Sequence, residues 1–437
     1  MLEKEPYKVF LKYIIPSILG LLAVSSSSII DGYFVGNYVG PIGLASINIA
    51  YPIFSILFGV GLMFAVGGSV MVSKLLGENK KQEALNVFSK IIISVTVFSV
   101  ISSILVYINI ENIFYFLNIE GELNKSSYTY LSIVLLSYPF IIVGVVVSYF
   151  VRADENPNLA FIALLSSAIV NIVLDYIFIV ELDYGLEGSA WATAIAYMVI
   201  IFALIPHFFK KEATLKLVRP VGSFKVMLTA LKNGVSEFVN ESSAGITVMI
   251  FNFMMIKYLG ANGVAAYTIV GYFIMINIMI SFAISDGLQP IVARHYGAKE
   301  FIRIKAFLKL GFTTILGFSS FLVIWVLLTP EFLVGIFLDV KSIETINITV
   351  DFLKYTWVAF LFVGVNIIIT SYLTSMHQPF ASATISIVRS LIFPALFVTV
   401  LSFYFGIVGI YVALVFSEFF TFLIAIYFFK KYSISKL

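Results

Sequence analysis

Asn37-Tyr-Val-Gly40-Pro-Ile-Gly43-Leu-Ala45 and Lys257-Tyr-Leu-Gly260-Ala-Asn-Gly263-Val-Ala265 are one pattern met twice, 220 positions apart. At the same spacing Gly67 meets Gly287, Lys74 meets Arg294 and Gly77 meets Gly297. Further on, Asn156-Pro157 meets Gln378-Pro379 at 222, and Gly185 and Gly188 meet Gly406 and Gly409 at 221. One glycine match means little in a chain with 28 glycines. A near-constant offset over this many positions marks a duplication, two similar halves in tandem.

Both halves are apolar. Of 437 residues 60% are hydrophobic and only 12% charged, about half the ~25% of a typical soluble protein. A soluble chain of this length folds as about three domains of ~150 residues and needs far more polar surface. Soluble enzymes and disordered chains are therefore excluded. The absence of cysteine removes disulfide frameworks, thiol nucleophiles and thiolate metal sites. A net charge of +3, evenly spread, leaves no footprint for nucleic acid. No P-loop, GxSxG or HExxH motif occurs, so neither an enzyme nor transport driven directly by ATP is expected.

A helix needs about 20 apolar residues to cross the ~30 Å hydrocarbon core. Such runs fall at 10–36, 43–75, 87–110, 127–152, 158–180, 186–210, 227–258, 264–294, 305–329, 347–375, 381–405 and 407–430. The first continues through Ile29 and Ile30, beyond the apolar core of a signal peptide. The fold class is an all-α membrane protein with twelve transmembrane helices in two homologous six-helix bundles. Six is even, so the halves enter the membrane in the same sense, the parallel-repeat plan of some secondary transporters. The expected organisation is an N-lobe at 1–210, a basic linker with Pro220 and Gly222 at 211–226, and a C-lobe at 227–437. Rocking two such bundles exposes a midplane cleft to each side in turn. With the N-terminus inside, the inner segments hold Lys4, Lys8, Lys12, Lys80, Lys81, Lys210, Lys211, Lys299, Arg303, Lys430 and Lys436. The outer loops hold only Lys125, Lys257 and Lys341, which places both termini in the cytoplasm.

Ionisable groups at membrane depth cost ~2.5–3.5 kcal/mol each on insertion scales, so each needs a partner or a task. Asp31 on the first span and Asp175 on the fifth have no Lys or Arg at matching depth. Counted from the outer span ends at 1.5 Å per residue, Asp31, Asp175 and Thr193 all lie roughly 7–10 Å below the surface. Asn171 is four residues before Asp175 and shares its helical face. Two carboxyls, an amide oxygen and a hydroxyl at one depth suit Na⁺ or a pair of protons. Either acid alone is as readily a plain interhelical hydrogen bond; four groups at one depth argue for a site. On the seventh span Glu237 and Glu241 fall in a polar stripe with Asn233 and Asn240, and are weighed evenly as structural or as substrate or coupling residues. Arg389 is expected to pair with Glu237, Glu241 or Glu418. No metal site beyond a Na⁺ at the cation cluster is expected, since His207, His295 and His377 are scattered over distant helix ends.

The segments Ile30-Asp31-Gly-Tyr-Phe-Val-Gly36, Gly43-Leu-Ala-Ser-Ile-Asn48, Pro52, Gly67-Gly68 and Gly77 resemble the multidrug and toxic compound extrusion (MATE) family. Gly263-Val-Ala-Ala-Tyr267 and Gly287-Leu-Gln-Pro290 repeat the pattern. The family belongs to the multidrug/oligosaccharidyl-lipid/polysaccharide exporter superfamily, and the resemblance covers essentially the whole chain. It implies a V-shaped, two-lobed antiporter in the plasma (inner) membrane of a prokaryote. Such a protein exports amphipathic, cationic compounds against inward flow of Na⁺ or H⁺. It implies no cofactor beyond that ion, small-molecule substrate and membrane lipid as partners, no nucleic acid, and a monomer. The family's N-lobe cation site resembles Asp31, Asn171, Asp175 and Thr193, and its first-helix proline, linked to bending, resembles Pro16. Some branches also use an acid on the seventh helix; Glu237 and Glu241 stand near it in a different register after Gly234. The alternative within the superfamily is a lipid-linked oligosaccharide flippase, which lines its cavity with cations for pyrophosphate. Here Arg389 stands nearly alone among acids.

Overall fold

The computed structural model describes residues 1–335 and 343–433, and among these the regular elements are all helical, with no strand. Lys341 and Lys436, counted above in the charge asymmetry, lie outside them. The first half consists of α1 (Pro6–Phe34), α2 (Pro41–Gly77), α3 (Lys81–Phe116), α4 (Gly121–Ala153), α5 (Pro157–Asp175) and α6 (Gly185–Leu204). Wider π turns extend α1 through Val35–Val39 and α5 through Tyr176–Glu181. The second half consists of α7 (Lys225–Gly260), α8 (Asn262–Gly297), α9 (Phe301–Leu328), α10 (Ile343–Ser375), α11 (379–405) and α12 (407–431). Each crossing expected from the sequence has its helix. Eleven stretches are long and apolar enough to span, and the last of them, Pro379–Lys431, is two helices because it breaks at Gly406.

The duplication is written into the backbone. Gly260 and Gly406 adopt φ of 60° and 59°, a left-handed conformation that reverses the chain almost without a loop and that a side chain would strain. Their counterparts Gly40 and Gly185 also have positive φ. At the opposite helix ends Asn79 and Lys299 share φ near 60°, as do Glu155 and His377. Helix starts follow local chemistry as well: Asn156 caps α5 by accepting from the Leu159 amide at 3.3 Å, and Pro157 sits at the first helical position, where a missing N–H costs nothing.

Packing divides the chain into two compact units. One holds Met1–Lys4, Leu11–Phe238 and Ala293–Ala298; the other holds Glu5–Phe10, Val239–Val292 and Lys299–Leu437. In the first, Phe88 packs against Phe150 and Phe208 with ring centroids 4.9 Å away from each, and the buried Tyr138 hydroxyl donates to the Leu57 carbonyl at 2.8 Å. Glycines in this unit allow backbone to touch backbone. A methyl group on Gly77 would run into the Arg294 carbonyl, and one on Gly297 would run into that of Lys74. The second unit centres on stacked rings, Phe251 on Tyr267 at 5.1 Å and Phe352 on Tyr411 at 4.7 Å.

The connector after α6 is strapped to the first unit. Buried Asp154 accepts from the Thr214 and Leu215 amides, each at 3.2 Å, and contacts His207 Nε2 at 2.8 Å. Ser89 Oγ accepts from the Val218 amide at 2.8 Å, and the Asn86 amide side chain pairs with both backbone groups of Val221. Lys90, only 2% exposed, donates to the carbonyls of Val221, Gly222 and Ser223. A run that reads as polar and basic in the sequence is thus fixed by side chains of α3 and α4.

Candidate cation site

Both acids singled out in the first half sit where an α-helix gives way to a π turn. Asp31 lies four residues before the π turn Val35–Val39 at the end of α1, and Asp175 is the last residue of α5 before Tyr176–Glu181. Such widened turns recur at functional sites because they redirect side chains out of the ordinary helical register. Here the two carboxyls become mutual neighbours.

Their surroundings differ. Ser189 on α6, itself fully buried, donates its hydroxyl proton to Asp31 Oδ1 at 2.8 Å. Asp175 is 0% exposed, and apart from the facing Asp31 carboxyl its oxygens have no hydrogen-bond partner among the described residues. Asn171, one turn back along α5, is also buried; its Oδ1 accepts from Ser27 Oγ, and its Nδ2 has no partner among the described residues. Thr193 is half-buried on α6, one turn beyond Ser189 and on the same face. Tyr130 of α4 faces both acids. The charged groups that bear on Asp31 and Asp175 include no lysine or arginine.

The structure therefore brings Asp31 and Asp175 together, with Asn171 and Thr193 each within one turn of a residue that touches the pair's helices. Ser27, Ser189 and Tyr130 were not foreseen. The two serines were legible, since Ser27 lies four residues before Asp31 and Ser189 four before Thr193. That is the same i, i+4 step that selects Asn171 from Asp175. A fully buried carboxyl without a neutral donor, as at Asp175, is costly unless positive charge joins it. The donor set of carboxylate, amide and hydroxyl oxygens fits a hard monovalent cation or protons. Among the described residues no group of three or more His, Cys, Asp or Glu side chains is arranged to hold a metal ion.

Glu237 is buried on α7 in the first unit, and Glu241, one turn on, is half-buried in the second. Neither is among the groups that bear on Asp31 and Asp175. Of the three acids considered for Arg389, Glu418 is the partner found, with Nη1 4.0 Å from Oε1. Arg389 Nη2 also donates to Asn240 Oδ1 at 3.2 Å, and Asn366 Nδ2 donates to Glu418 Oε2 at 2.8 Å.

The family model described as MatE matches residues 16–177 and 245–398. The multidrug export protein MepA of Staphylococcus saprophyticus is 27% identical over 421 residues, covering 95% of this chain and 92% of that protein. The protein of the same name from Staphylococcus aureus is 27% identical over 423 residues, with coverage of 95% and 92%. A solved MATE structure in the straight conformation superposes with a TM-score of 0.93 at 19% identity, covering 100% of this chain and 98% of that one. An outward-facing multidrug resistance MATE transporter of the MOP superfamily gives 0.90 at 20% identity, with coverage of 99% and 97%. At these identities the structural likeness is one of fold.

Proposed function

The chain belongs to the MatE family and is a multi-pass membrane transporter rather than an enzyme, and on that footing we propose that it is a cation-coupled antiporter. It exports amphipathic, cationic organic compounds by alternating access, driven by inward flow of Na⁺ or H⁺. The multidrug export named for its relatives supports drug-like small molecules as cargo, and the acids at depth favour cationic ones. The charge asymmetry of the loops supports a plasma-membrane orientation with both termini in the cytoplasm, and a single chain contains every group the proposal uses.

The observation that carries the proposal is Asp175, fully buried, whose carboxyl faces Asp31 and meets no other hydrogen-bond donor among the described residues. A carboxylate so placed needs a positive charge, and no lysine or arginine among the described residues bears on it. If the conformer that faces outward binds this charge and the conformer that binds cargo from inside releases it, the two equilibria are linked by the difference in affinity. Asn171 and Thr193 complete the oxygen set. Glu237 and Glu241 remain candidates for contact with the cargo.

The test is efflux of a cationic dye from proteoliposomes under separately imposed Na⁺ and proton gradients. Asp31→Asn and Asp175→Asn should each abolish gradient-driven efflux while the protein stays folded and inserted. Full export by both variants would sink the assignment.

A further inference from the structure

Among the described residues the Ser189 hydroxyl holds one acid of the pair and not the other, which makes the two acids unequal. It is 0% exposed, and a hydroxyl has one proton to give. That proton is committed to Asp31 Oδ1 at 2.8 Å, and an ionised carboxylate can only accept. Asp175, equally buried, meets no donor among the described residues other than the facing Asp31 carboxyl. The groups facing Asp31 are Asp175 from α5, Ser189 from α6 and Tyr130 from α4. Those facing Asp175 are Asp31 from α1 and Tyr130 from α4. None of them carries positive charge.

We propose that Ser189 is a positioning residue that divides the labour of the pair: it anchors Asp31, so that the incoming positive charge is received on the oxygens of Asp175, which no such hydroxyl holds. The proposal rests on the cation-coupled reading above and deepens it. Holding Asp31 with an internal donor stabilises the ion-free site. That bond is strongest while no cation shares the charge of the pair, so Ser189 stabilises the empty site more than the loaded one. This weakens ion binding and eases the release a carrier needs on every cycle.

Removing the donor gives a definite direction. Ser189→Ala leaves Asp31 without its internal partner, so the ion-free site is destabilised and the ion binds more tightly. Hydrogen bonds to charged groups are worth enough to shift such an equilibrium by about tenfold. In proteoliposomes the concentration of coupling ion giving half-maximal efflux should fall about tenfold, and the maximal rate should fall because release slows. Ser189→Thr, which keeps the hydroxyl, should return both values to within about twofold of the parent. Ser189→Cys, similar in size but a weaker donor, should fall between.

Asp31→Asn and Asp175→Asn are measured in the same vesicles. If both keep gradient-driven efflux, the antiporter reading itself fails. If both lose it while Ser189→Ala leaves the half-maximal concentration unchanged, only the role of Ser189 fails. A rise in that concentration would also overturn it, because Ser189 would then be a ligand of the ion. The ion-dependent thermal shift of each purified variant, with NaCl or pH as the variable, gives the same comparison independently of turnover.

Discussion

Replacing Lys90 by methionine isolates what holds the strap between the two halves of the chain. The Lys90 ammonium donates to Val221 O at 2.7 Å, Ser223 O at 2.8 Å and Gly222 O at 3.3 Å, and lies 5.4 Å from the Phe224 ring centroid. Methionine keeps the apolar stem and removes the charge. Hydrogen bonds to a charged donor contribute about 1.5–3 kcal/mol. Val221, Gly222 and Ser223 are exposed, so water takes over their carbonyls and the loss belongs at the lower end, about 2 kcal/mol. Asn86, Ser89 and Asp154 still hold the strap, so it loosens without detaching. At 1.4 kcal/mol per decade, the strap's open population should rise about 30-fold, and trypsin cleavage after Lys216 and Arg219 should rise with it. The assay is limited proteolysis in detergent, at protease concentrations where opening is faster than cutting, with fragments identified by mass. Cleavage within about threefold of the parent, in a variant with an unchanged melting temperature, would refute the reasoning.

Gly77→Val and Gly297→Val should each destabilise the protein by about 1–3 kcal/mol through overpacking, and the double variant by little more than the worse single, since one contact is lost once; thermal unfolding followed by tryptophan fluorescence measures this. Burial pushes the Glu155 carboxyl up, but the Arg294 guanidinium at 3.1 Å and the Met1 ammonium at 3.0 Å outweigh it and hold it below its ordinary value. Its contribution is therefore full above the unfolded value of about 4.3 and is lost as pH falls through the lower folded value. Glu155→Gln should flatten the acid side of a melting-temperature profile slightly, since the side chain is 33% exposed and well screened. Arg389→Met should cost about 3 kcal/mol or more by leaving buried Glu418 without its cation, and Arg389→Met with Glu418→Gln should recover most of that in the same melting assay.

Much of this molecule was legible before any coordinates. Hydrophobic run length located the spans because lipid admits few alternatives to a continuous helix. The repeat offset located the reversals, since Gly40, Gly260, Gly185 and Gly406 all need the backbone freedom that the matched glycines supply. The acid pair was legible because depth along a helix is simple arithmetic. What sequence counting missed depends on rotation and on partners far apart in the chain. Ser27 and Ser189 are ordinary serines until α1, α5 and α6 are seen together. Lys90 looks like one more inner-leaflet charge until residues 221–223 are folded over it. Arg389 had three acids of suitable depth, and only packing selects Glu418.

The glycine contact between the ends of α2 and α8 has a symmetry of its own. Gly77 rests on the residue that matches Lys74, namely Arg294, while Gly297 rests on Lys74 itself. Such a surface is self-complementary in the manner of a two-fold homodimer. Each repeat thus offers the other the same close approach that it receives, so a side chain added at either glycine would push on the mirror position of the partner repeat.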